Sequence, residues 1–364
     1  MKKEPTILLC PLDWGIGHAT RCVPIIHALV NQGAKVIVAT DNRPFSFLQQ
    51  EFPHLQFVRF PGYNFSYPEK GSMVLKMLFA APGIIRDIKK EHLQLDKMIT
   101  DHNIDAVISD NRFGLYSKLV PSVYITHQVM IKAPAGLKFL EPMLHSINKK
   151  YISKYSTCWI PDFAGETNLS GDLSHKYELQ TDSFFIGPLS RFYHADSTIS
   201  MDNRNDYDFT VMLSGPEPQR TILEQVLIAQ LKKTKYRGVV LGGKPDQEEE
   251  MELSDRIRFY SHLDTASLKK LLQVSDIVIS RPGYSTIMDL AVFGKKAIFI
   301  PTPGQTEQEY LAEYFRQRNM CFKMEQNDLN ISKAMEEVKS CQPLKMEFSH
   351  EMLKAGIESL LSRI

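Results

Sequence analysis

The chain has 364 residues, a length that predicts two domains of about 100–200 residues, each with its own hydrophobic core. Lysine and arginine total 43 against 42 for aspartate and glutamate, so the strong basic excess that drives nucleic-acid binding is missing. This balance argues against nucleic acid as a partner.

The cysteines and the N-terminus indicate a reducing compartment. The chain has five cysteines, an odd count without C-x-x-C spacing, so we expect buried thiols and neither disulfides nor a metal site. The apolar run at 7–10 is too short for a signal peptide and is better interpreted as a strand. No segment approaches the ~18–20 apolar residues that span a bilayer. We therefore expect a cytoplasmic protein, soluble or peripheral at the inner face of the membrane.

The first half alternates short apolar runs with helical patterns. A helix closed by Gly33 is predicted near 23–31, and strands are predicted at 7–10, 36–39, 57–60, 106–109 and 123–126. This alternation is typical of a parallel sheet covered by helices on both faces. The pattern pauses near 184–189, and polar, turn-rich sequence follows from 194 to 207. We place the domain junction there, with a first domain at 1–190 and a second at 191–345.

A glycine turn, Asp13-Trp14-Gly15-Ile16-Gly17-His18, follows the first predicted strand. Open α/β sheets bind ligands at the carboxyl ends of their strands. His18 at the start of the next helix would place an imidazole at that edge. The alternative for His18 is a helix-capping or core histidine.

The second half repeats the alternation. Strands are predicted at 209–213, 239–241, 256–260, 277–279 and 297–300, with one helix capped by Asp264 or Thr265. The strand at 277–279 is followed by the turn Ser280-Arg281-Pro282-Gly283 and then by a helix. Such a turn leaves backbone N–H groups unpaired at the positive end of a helix, where phosphate binds readily. The sequence therefore predicts an anion site after Gly283.

The stretch 280–312 resembles the nucleotide-sugar half of GT-B glycosyltransferases, most closely MurG, the peptidoglycan N-acetylglucosaminyltransferase, and its relatives. Their pattern is S-R-x-G-x-x-T-x-x-E-L, then I-P-x-P, then H-Q-x-x-N-A; the glycine turn and the I-P-x-P segment at 300–303 are intact. The departures are Asp289 for Glu, Glu307-Gln308 for His-Gln, and Leu311-Ala312 for Asn-Ala. The resemblance implies an α/β GT-B fold: two doubly wound Rossmann-like domains facing across a cleft. In such proteins the C-terminal helix, here within 346–364, packs back on the first domain.

The resemblance also implies the nucleotide-sugar contacts: Gly17, Ser214, Gly215, Arg220, Gly283, Tyr284, Ser285, Thr286, Asp289, Glu307 and Gln308. Asp289 suits ribose because a carboxylate accepts hydrogen bonds from two vicinal hydroxyls, each worth ~1.5–3 kcal/mol. Gln308 matches the glutamine that meets the sugar hydroxyls. The alternative for Asp289 is an acidic residue on the solvated face of a helix. Arg220 either neutralises phosphate or is a solvated surface residue.

Three catalytic candidates follow in the first domain. His18 matches a G-x-G-H loop with an arginine, Arg21, a few residues on, although Asp13 and Trp14 replace the leading glycines of the MurG loop. His18 is the first choice for a general base. Asp110, at a strand end, and His127, in a segment similar to the I-H-E-Q-N stretch of MurG, are further acid–base candidates. The alternative for both Asp110 and His127 is a structural role in hydrogen bonding.

The segment 73–90 is apolar and helical with basic neighbours: Lys76, Arg86, Lys89 and Lys90. Related enzymes with lipid-linked acceptors have an exposed apolar, basic patch in this region that contacts the membrane. The alternative is an inward-facing helix of the α/β sheet.

The resemblance implies an inverting glycosyltransferase that moves a sugar, N-acetylglucosamine or another hexose, from a UDP-sugar to an acceptor hydroxyl. Lipid-linked saccharides are among the candidate acceptors. We expect no cofactor apart from the UDP-sugar donor, and no metal. Two alternatives stay open: a UDP-sugar 2-epimerase and a non-catalytic nucleotide-sugar-binding subunit.

Overall fold

The computed structural model describes residues 4–62, 73–194, 206–244 and 249–364, and the side chains at 73–81 and 135 are outside this description. These residues form two compact units. The first contains residues 4–62, 74–194 and 348–364, and the second contains 206–244 and 249–347. Most of the junction predicted at 194–207, namely 195–205, lies outside the described residues.

The first unit is built on a parallel sheet. Its described strands are β1 (Thr6–Pro11), β2 (Lys35–Thr40), β3 (Gln56–Arg59), β4 (Ala106–Asp110), β5 (Ser122–Ile125), β6 (Thr157–Ile160) and β7 (Ser183–Phe185). They pair in the order β3-β2-β1-β4-β5-β6-β7. Every residue of β1, β4, β5 and β6 is buried, as expected for strands covered on both faces.

Five helices connect these strands: α1 (Ile16–Asn31), α2 (Asn42–Glu51), α3 (Met73–His102), α4 (Glu141–Ile152) and α5 (Asp172–His175). A 3₁₀ segment, Ala135–Leu140, precedes α4. Helix α1 begins at Ile16, well before the predicted start near residue 23, and continues through Pro24. His18 and Arg21 are therefore one turn apart on the same helix face.

The second unit repeats the plan with one added edge strand. Its described strands are β8 (Tyr207–Met212), β9 (Gly238–Leu241), β10 (Glu250–Ser254), β11 (Ile257–Tyr260), β12 (Ser275–Ser280), β13 (Lys296–Phe299) and β14 (Cys321–Lys323). They pair in the order β10-β11-β9-β8-β12-β13-β14, and β10 is antiparallel to β11. The sequence analysis did not predict β10: its residues alternate polar and apolar, but they are exposed or half-buried and include two glutamates, a residue type that is depleted in strands.

The helices of this unit are α6 (Gln219–Leu231), α7 (Thr265–Gln273), α8 (Tyr284–Phe293), α9 (Thr306–Gln317) and α10 (Ile331–Glu337), with 3₁₀ turns at Gln326–Asp328 and Val338–Ser340. Of the two predicted caps for α7, Asp264 is the one observed, since Oδ1 of Asp264 accepts from Ser267 N at 2.8 Å.

The last helix, α11 (His350–Leu361), returns to the first unit. Its Gly356 lies so close to the sheet that a Cβ there would stand 3.0 Å from Cγ2 of Ile186 and 3.5 Å from the ring of Trp159. The five cysteines are free and buried, as predicted. No helix among the described residues is both long and apolar enough to cross a bilayer.

Both sheets reverse their strand order beside their first strand. In the first unit β1 lies between β2 and β4, and in the second β8 lies between β9 and β12. At such a switch point the loops leave in opposite directions and open a crevice at the carboxyl ends of the strands. His18 and Asp110 lie at the first switch point, and Ser214 and Gly283 lie at the second.

Candidate functional site

Arg21 contacts all three catalytic candidates of the first unit: His18, Asp110 and His127. Its Nε donates to Oδ2 of Asp110 at 2.9 Å, and its Nη2 donates to Oδ1 of the same carboxylate. Its Nη1 donates to Nδ1 of His127 at 3.2 Å, and its Nη2 lies 2.8 Å from Nδ1 of His18. Arg21 and Asp110 are buried, so this ion pair is shielded from water.

The His18 ring has one occupied nitrogen and one open nitrogen. Nδ1 lies 3.1 Å from Oδ2 of Asp110. It can either donate a hydrogen bond to that carboxylate or accept a hydrogen bond from Arg21, depending on the tautomer. Nε2 has no hydrogen-bond partner among the described residues, and 21% of the side chain is exposed. When Nδ1 carries the proton, the lone pair of Nε2 is free to accept another, which is the arrangement of a histidine base oriented by a carboxylate.

The electrostatics favour a neutral imidazole beside a charged carboxylate. Burial, followed by the charge of Arg21, lowers the pKa of His18 below its ordinary 6.5, although Asp110 opposes this. Burial alone would raise the pKa of Asp110, but the charge of Arg21 and the hydrogen bonds to Arg21 and His18 keep it below its ordinary 3.8. At neutral pH His18 is therefore unprotonated and Asp110 is ionised.

His127 is the buried histidine of the cluster. It is buried, with Nδ1 facing Arg21, and its carbonyl accepts from Oγ of Ser174 in α5 at 2.7 Å. Because arginine only donates, Nδ1 of His127 acts as the acceptor in this hydrogen bond. The structure thus gives His127 the contacts of a residue that orients Arg21.

Asp13, which departs from the MurG loop pattern, fastens this loop to the end of β3. Its Oδ2 accepts from the backbone N of Gly62 and from Nδ2 of Asn42, both at 3.1 Å. A Cβ at Gly62 would stand 2.6 Å from Oδ1 of Asp13, so the contact requires glycine. The carboxylate therefore shapes the loop before His18.

Three loops of the second unit carry the predicted nucleotide-sugar contacts. They follow β8, β12 and β13, which are neighbours in the sheet, so the loops lie side by side at its carboxyl edge. Helix α8 begins after Gly283 and α6 begins after Pro218, each without a side-chain cap. The N–H groups of Tyr284, Ser285 and Thr286 lie in the first turn of α8, where they suit an anion.

The loops after β8 and β13 approach each other at Gly215. This residue has φ of 109°, in the left-handed region, and a Cβ there would stand 3.6 Å from Oγ1 of Thr302. Ser214 and Gly215 are exposed.

Asp289 and Gln308 are buried, and Glu307 is half-buried in the first turn of α9. The alternative of a solvated helix acid is therefore wrong for Asp289. Oε1 of Gln308 accepts from the backbone N of Thr302 at 2.8 Å, so this amide fixes the loop after β13. Its role toward a sugar stays a prediction.

Arg220 is buried, so its interpretation as a solvated surface residue is wrong. Its Nε donates to Glu217 and its Nη1 to Glu224, both at 2.6 Å, and Nη1 also donates to the carbonyl of Gly242 at 3.0 Å. Two carboxylates already balance its charge, and its guanidinium braces the start of α6.

Sequence reasoning did not select Arg281 and Thr302, which the structure places at the same edge. Both are buried: Arg281 belongs to the loop after β12, and Thr302 belongs to the loop after β13. The S-R-x-G pattern offered a signal for Arg281, because the arginine is part of the motif itself. Nothing in the sequence pointed to Thr302, the variable position of I-P-x-P.

The chain contains an Asp-x-Asp sequence, Asp206-Tyr207-Asp208, so the lack of such a pattern is not a ground for the expected metal independence. It lies at the amino end of β8, opposite the edge described above, and Oδ2 of Asp208 accepts from the backbone N of Arg237 at 2.7 Å. Within the described ranges, no group of three or more His, Cys, Asp or Glu residues is placed to hold a metal.

The two parallel-rich sheets with flanking helices define a GT-B fold. Residues 211–362 match the model of the glycosyltransferase family 28 C-terminal domain, and residues 7–132 match that of glycosyl transferase family 1. The predicted resemblance to MurG-like GT-B glycosyltransferases is thereby confirmed.

Individual proteins agree with this assignment. The chain is 25% identical over 214 residues to the UDP-N-acetylglucosamine--N-acetylmuramyl-(pentapeptide) pyrophosphoryl-undecaprenol N-acetylglucosamine transferase of Sulfurihydrogenibium sp. (strain YO3AOP1). That match covers 56% of this chain and only 60% of the relative's length. The fold resembles Arabidopsis thaliana UGT89C1 complexed with UDP-L-rhamnose, with a TM-score of 0.62, 13% identity and coverage of 98% and 94% of the two chains. It also resembles MurG of Acinetobacter baumannii, with a TM-score of 0.55, 10% identity and coverage of 99% and 100%.

Proposed function

We propose that the protein is a glycosyltransferase whose second unit binds a UDP-sugar and whose first unit binds the acceptor hydroxyl. The observation that carries the proposal is the His18–Asp110–Arg21 cluster at the switch point of the first sheet. It supplies a neutral imidazole with an open Nε2, which is what removal of a proton from a hydroxyl requires.

The donor assignment is supported by the second unit and by its relatives. The first turn of α8, which follows Gly283, together with Ser214 and Gly215, suits a diphosphate that gains charge as it departs. The Sulfurihydrogenibium relative has UDP-N-acetylglucosamine in its name, and the Arabidopsis structure is a complex with UDP-L-rhamnose. We therefore propose a UDP-sugar, with N-acetylglucosamine or another hexose transferred.

The proposed reaction is a single displacement with inversion. Nε2 of His18 takes the acceptor proton while the acceptor oxygen bonds to the anomeric carbon and the bond to the diphosphate breaks. Asp110 accepts from Nδ1–H and stabilises the imidazolium that forms. The proposal includes metal independence, so EDTA should leave the rate unchanged.

We further propose that the acceptor is lipid-linked, as in the name of the Sulfurihydrogenibium relative. Two exposed helical surfaces of the first unit support membrane contact. On α3, Ile85 and Leu93 are exposed beside the exposed Arg86, Lys89 and Lys90, whereas Ile88 is buried. The predicted apolar segment at 73–81 lies outside the described side chains, and Lys76 with it.

The second surface is an apolar stripe along the 3₁₀ segment and α4. Phe139, Met143 and Ile147 are 73%, 46% and 50% exposed and are spaced one helical turn apart. The flanking lysines are Lys138, Lys149, Lys150 and Lys154, and none of them pairs with a carboxylate among the described residues. An exposed apolar stripe bordered by unpaired cations suits an anionic lipid surface.

Tyr116 contacts both His92 of α3 and Lys154 beyond α4. The Tyr116 ring stacks on His92 of α3 with centroids 4.0 Å apart, and Lys154, just beyond α4, lies 4.7 Å from the same ring. The segment just beyond α4 therefore lies near His92 of α3.

A thermal-shift panel of UDP, dTDP, GDP and CDP tests the donor. A ligand at about 100 times its Kd should stabilise the protein by ~2.7 kcal/mol. A response to UDP alone supports the assignment, and a response to another diphosphate but not to UDP removes the uridine part. Release of UDP with an epimerised sugar in the absence of acceptor would replace the transferase with an epimerase.

A further inference from the structure

Arg281 is a fully buried cation whose described partners are all uncharged. Its Nη1 donates to the carbonyls of Ile300 at 2.9 Å and Pro301 at 2.8 Å. Its Nη2 donates to the carbonyl of Gln219 at 3.1 Å and to Oε1 of Gln326. None of these acceptors is ionised, and Arg281 forms no ion pair within the described part of the chain.

Three other buried arginines of this protein have a counter-charge. Arg21 pairs with Asp110, Arg112 with Glu91, and Arg220 with two glutamates, and each of these arginines is at most 4% exposed. A buried charge without a counter-charge is strongly destabilising. Desolvation lowers the pKa of Arg281 to about 10, which still leaves it charged at neutral pH. Arg281 thus carries a positive charge that the described protein does not balance.

A second, independent feature marks the same place. Three polar atoms there are buried and have no hydrogen-bond partner among the described residues: Oγ of Ser280, Nε of Arg281 and Oγ1 of Thr302. Thr302 is 4% exposed, and its hydroxyl faces Gly215, as the 3.6 Å separation from a Cβ at that position shows. Buried polar atoms are nearly always hydrogen-bonded, so a cluster of such atoms indicates a missing partner.

The position of the guanidinium connects these features to the donor site. Gln219 is the first residue of α6, and Ile300 and Pro301 directly follow β13, so Arg281 contacts the segments next to Gly215 and Thr302. A positive charge beneath two loops with free donors attracts an anion to that edge.

We propose that the diphosphate of the donor is the counter-ion of Arg281 and binds against the Gly215 turn, where the Thr302 hydroxyl donates a hydrogen bond to it. Thr302 contacts the ligand directly. Arg281 is a positioning residue, because its Nη hydrogen bonds hold the two loops while its charge acts across them. This inference rests on the proposed function and identifies the residues that recognise the diphosphate part of the donor.

The main test compares Arg281→Met, which removes the charge at similar length, with Arg281→Lys, which keeps it. Calorimetry would measure Kd for UDP, uridine and inorganic pyrophosphate, with weak ligands measured by displacement of UDP. We expect Arg281→Met to lose at least tenfold in affinity for UDP and pyrophosphate while its uridine affinity stays within twofold. Arg281→Lys should retain most of the affinity that Arg281→Met loses. Equal losses for UDP and uridine, or an unchanged UDP affinity, would overturn the proposal.

Thr302→Val gives an independent readout if Arg281→Met does not fold. It preserves shape and should weaken UDP and pyrophosphate binding severalfold without changing uridine binding. The matched control is Thr210→Val in β8, whose hydroxyl is buried 2.7 Å from Oγ of Ser275. The control should change stability but not UDP affinity. If Thr302→Val binds UDP like the wild type, the ligand contact assigned to this hydroxyl is wrong.

Pyrophosphate separates this inference from the uridine assignment. If the wild type ignores UDP but binds pyrophosphate in an Arg281-dependent manner, the diphosphate site stands and the proposed UDP-sugar donor fails. If the wild type binds UDP and Arg281→Met does so equally well, the proposed donor stands and the counter-ion assignment fails.

Discussion

The cluster around Arg21 in the first unit and the site around Arg281 in the second occupy equivalent places, each at the switch point beside the first strand of its sheet. Arg21 is balanced by Asp110 and contacts two imidazoles. Arg281 is held by carbonyl and amide oxygens alone. In the first site the arginine charge is balanced by a carboxylate and two histidines can titrate, which suits proton transfer. The second site retains an unbalanced positive charge and hydrogen-bond donors, which suits anion binding.

This difference predicts that the two sites can be damaged separately. Changes in the first unit should reduce the rate and leave nucleotide affinity nearly unchanged, and changes in the second should do the reverse. A variant that affects both quantities alike would break the comparison.

The largest effect is expected for His18→Ala. Loss of a general base typically lowers the rate by 10²–10⁴-fold, or about 3–5 kcal/mol, with little effect on ground-state binding. UDP affinity, measured by calorimetry, should stay within a factor of a few. Retained turnover would move the base to Asp110 or His127, and lost UDP binding would make His18 a structural residue. Lost turnover with an intact biological role would favour the non-catalytic binding subunit.

Asp110→Asn should destabilise the first unit by about 3–5 kcal/mol, because it leaves the buried Arg21 without its counter-charge. Chemical denaturation followed by hydrogen exchange would locate the loss in residues 4–194. Stabilisation by UDP should persist in the second unit. An unchanged free energy of unfolding would show that water or a neighbouring group replaces the carboxylate.

Asp289→Ala should weaken UDP binding by roughly 1.5–3 kcal/mol, the value of charge-assisted hydrogen bonds to the ribose hydroxyls. Because Asp289 is buried, the circular-dichroism melting curve of the variant needs to be recorded beside the calorimetry. A folded variant with unchanged UDP affinity would mean that the motif register is wrong at this position.

The pH profile sharpens the role assigned to His18. Its pKa is lowered, so the unprotonated base form predominates at neutral pH and is lost as the pH falls through the lowered value. The acidic limb of kcat/KM should therefore have its midpoint below 6.5, with about a tenfold fall per pH unit beneath it. An acidic limb that survives in His18→Ala would come from another group.

The smallest effect is expected at the membrane surface. Replacing Phe139, Met143 and Ile147 with serine should reduce sedimentation with anionic vesicles severalfold, without changing UDP affinity. Ile222→Ser and Met251→Ser, at exposed apolar positions of the second unit, serve as controls. If the wild type never sediments with anionic vesicles, membrane contact through α3 and α4 is wrong.

The sequence by itself determined the repeating α/β plan. The buried strands are apolar runs separated by helical patterns, and this periodicity is local, so β1, β2, β4, β8 and β12 were predicted within one or two residues at each end. The turns at Gly215 and Gly283 were also predictable, because a glycine after an apolar strand marks a strand-to-helix connection. Prediction failed for β10, a short exposed edge strand rich in glutamate, although its residues alternate polar and apolar.

Tertiary structure decided which charges meet. Arg21 lies 89 positions before Asp110 and 106 before His127, so no local spacing predicts that one guanidinium contacts both. The burial of Arg220 and Asp289 and the lack of a carboxylate beside Arg281 are likewise set by neighbouring strands. Motifs specify which groups are available, but desolvation and counter-charges depend on long-range packing, and these determine whether a group transfers protons, braces a loop or attracts an anion.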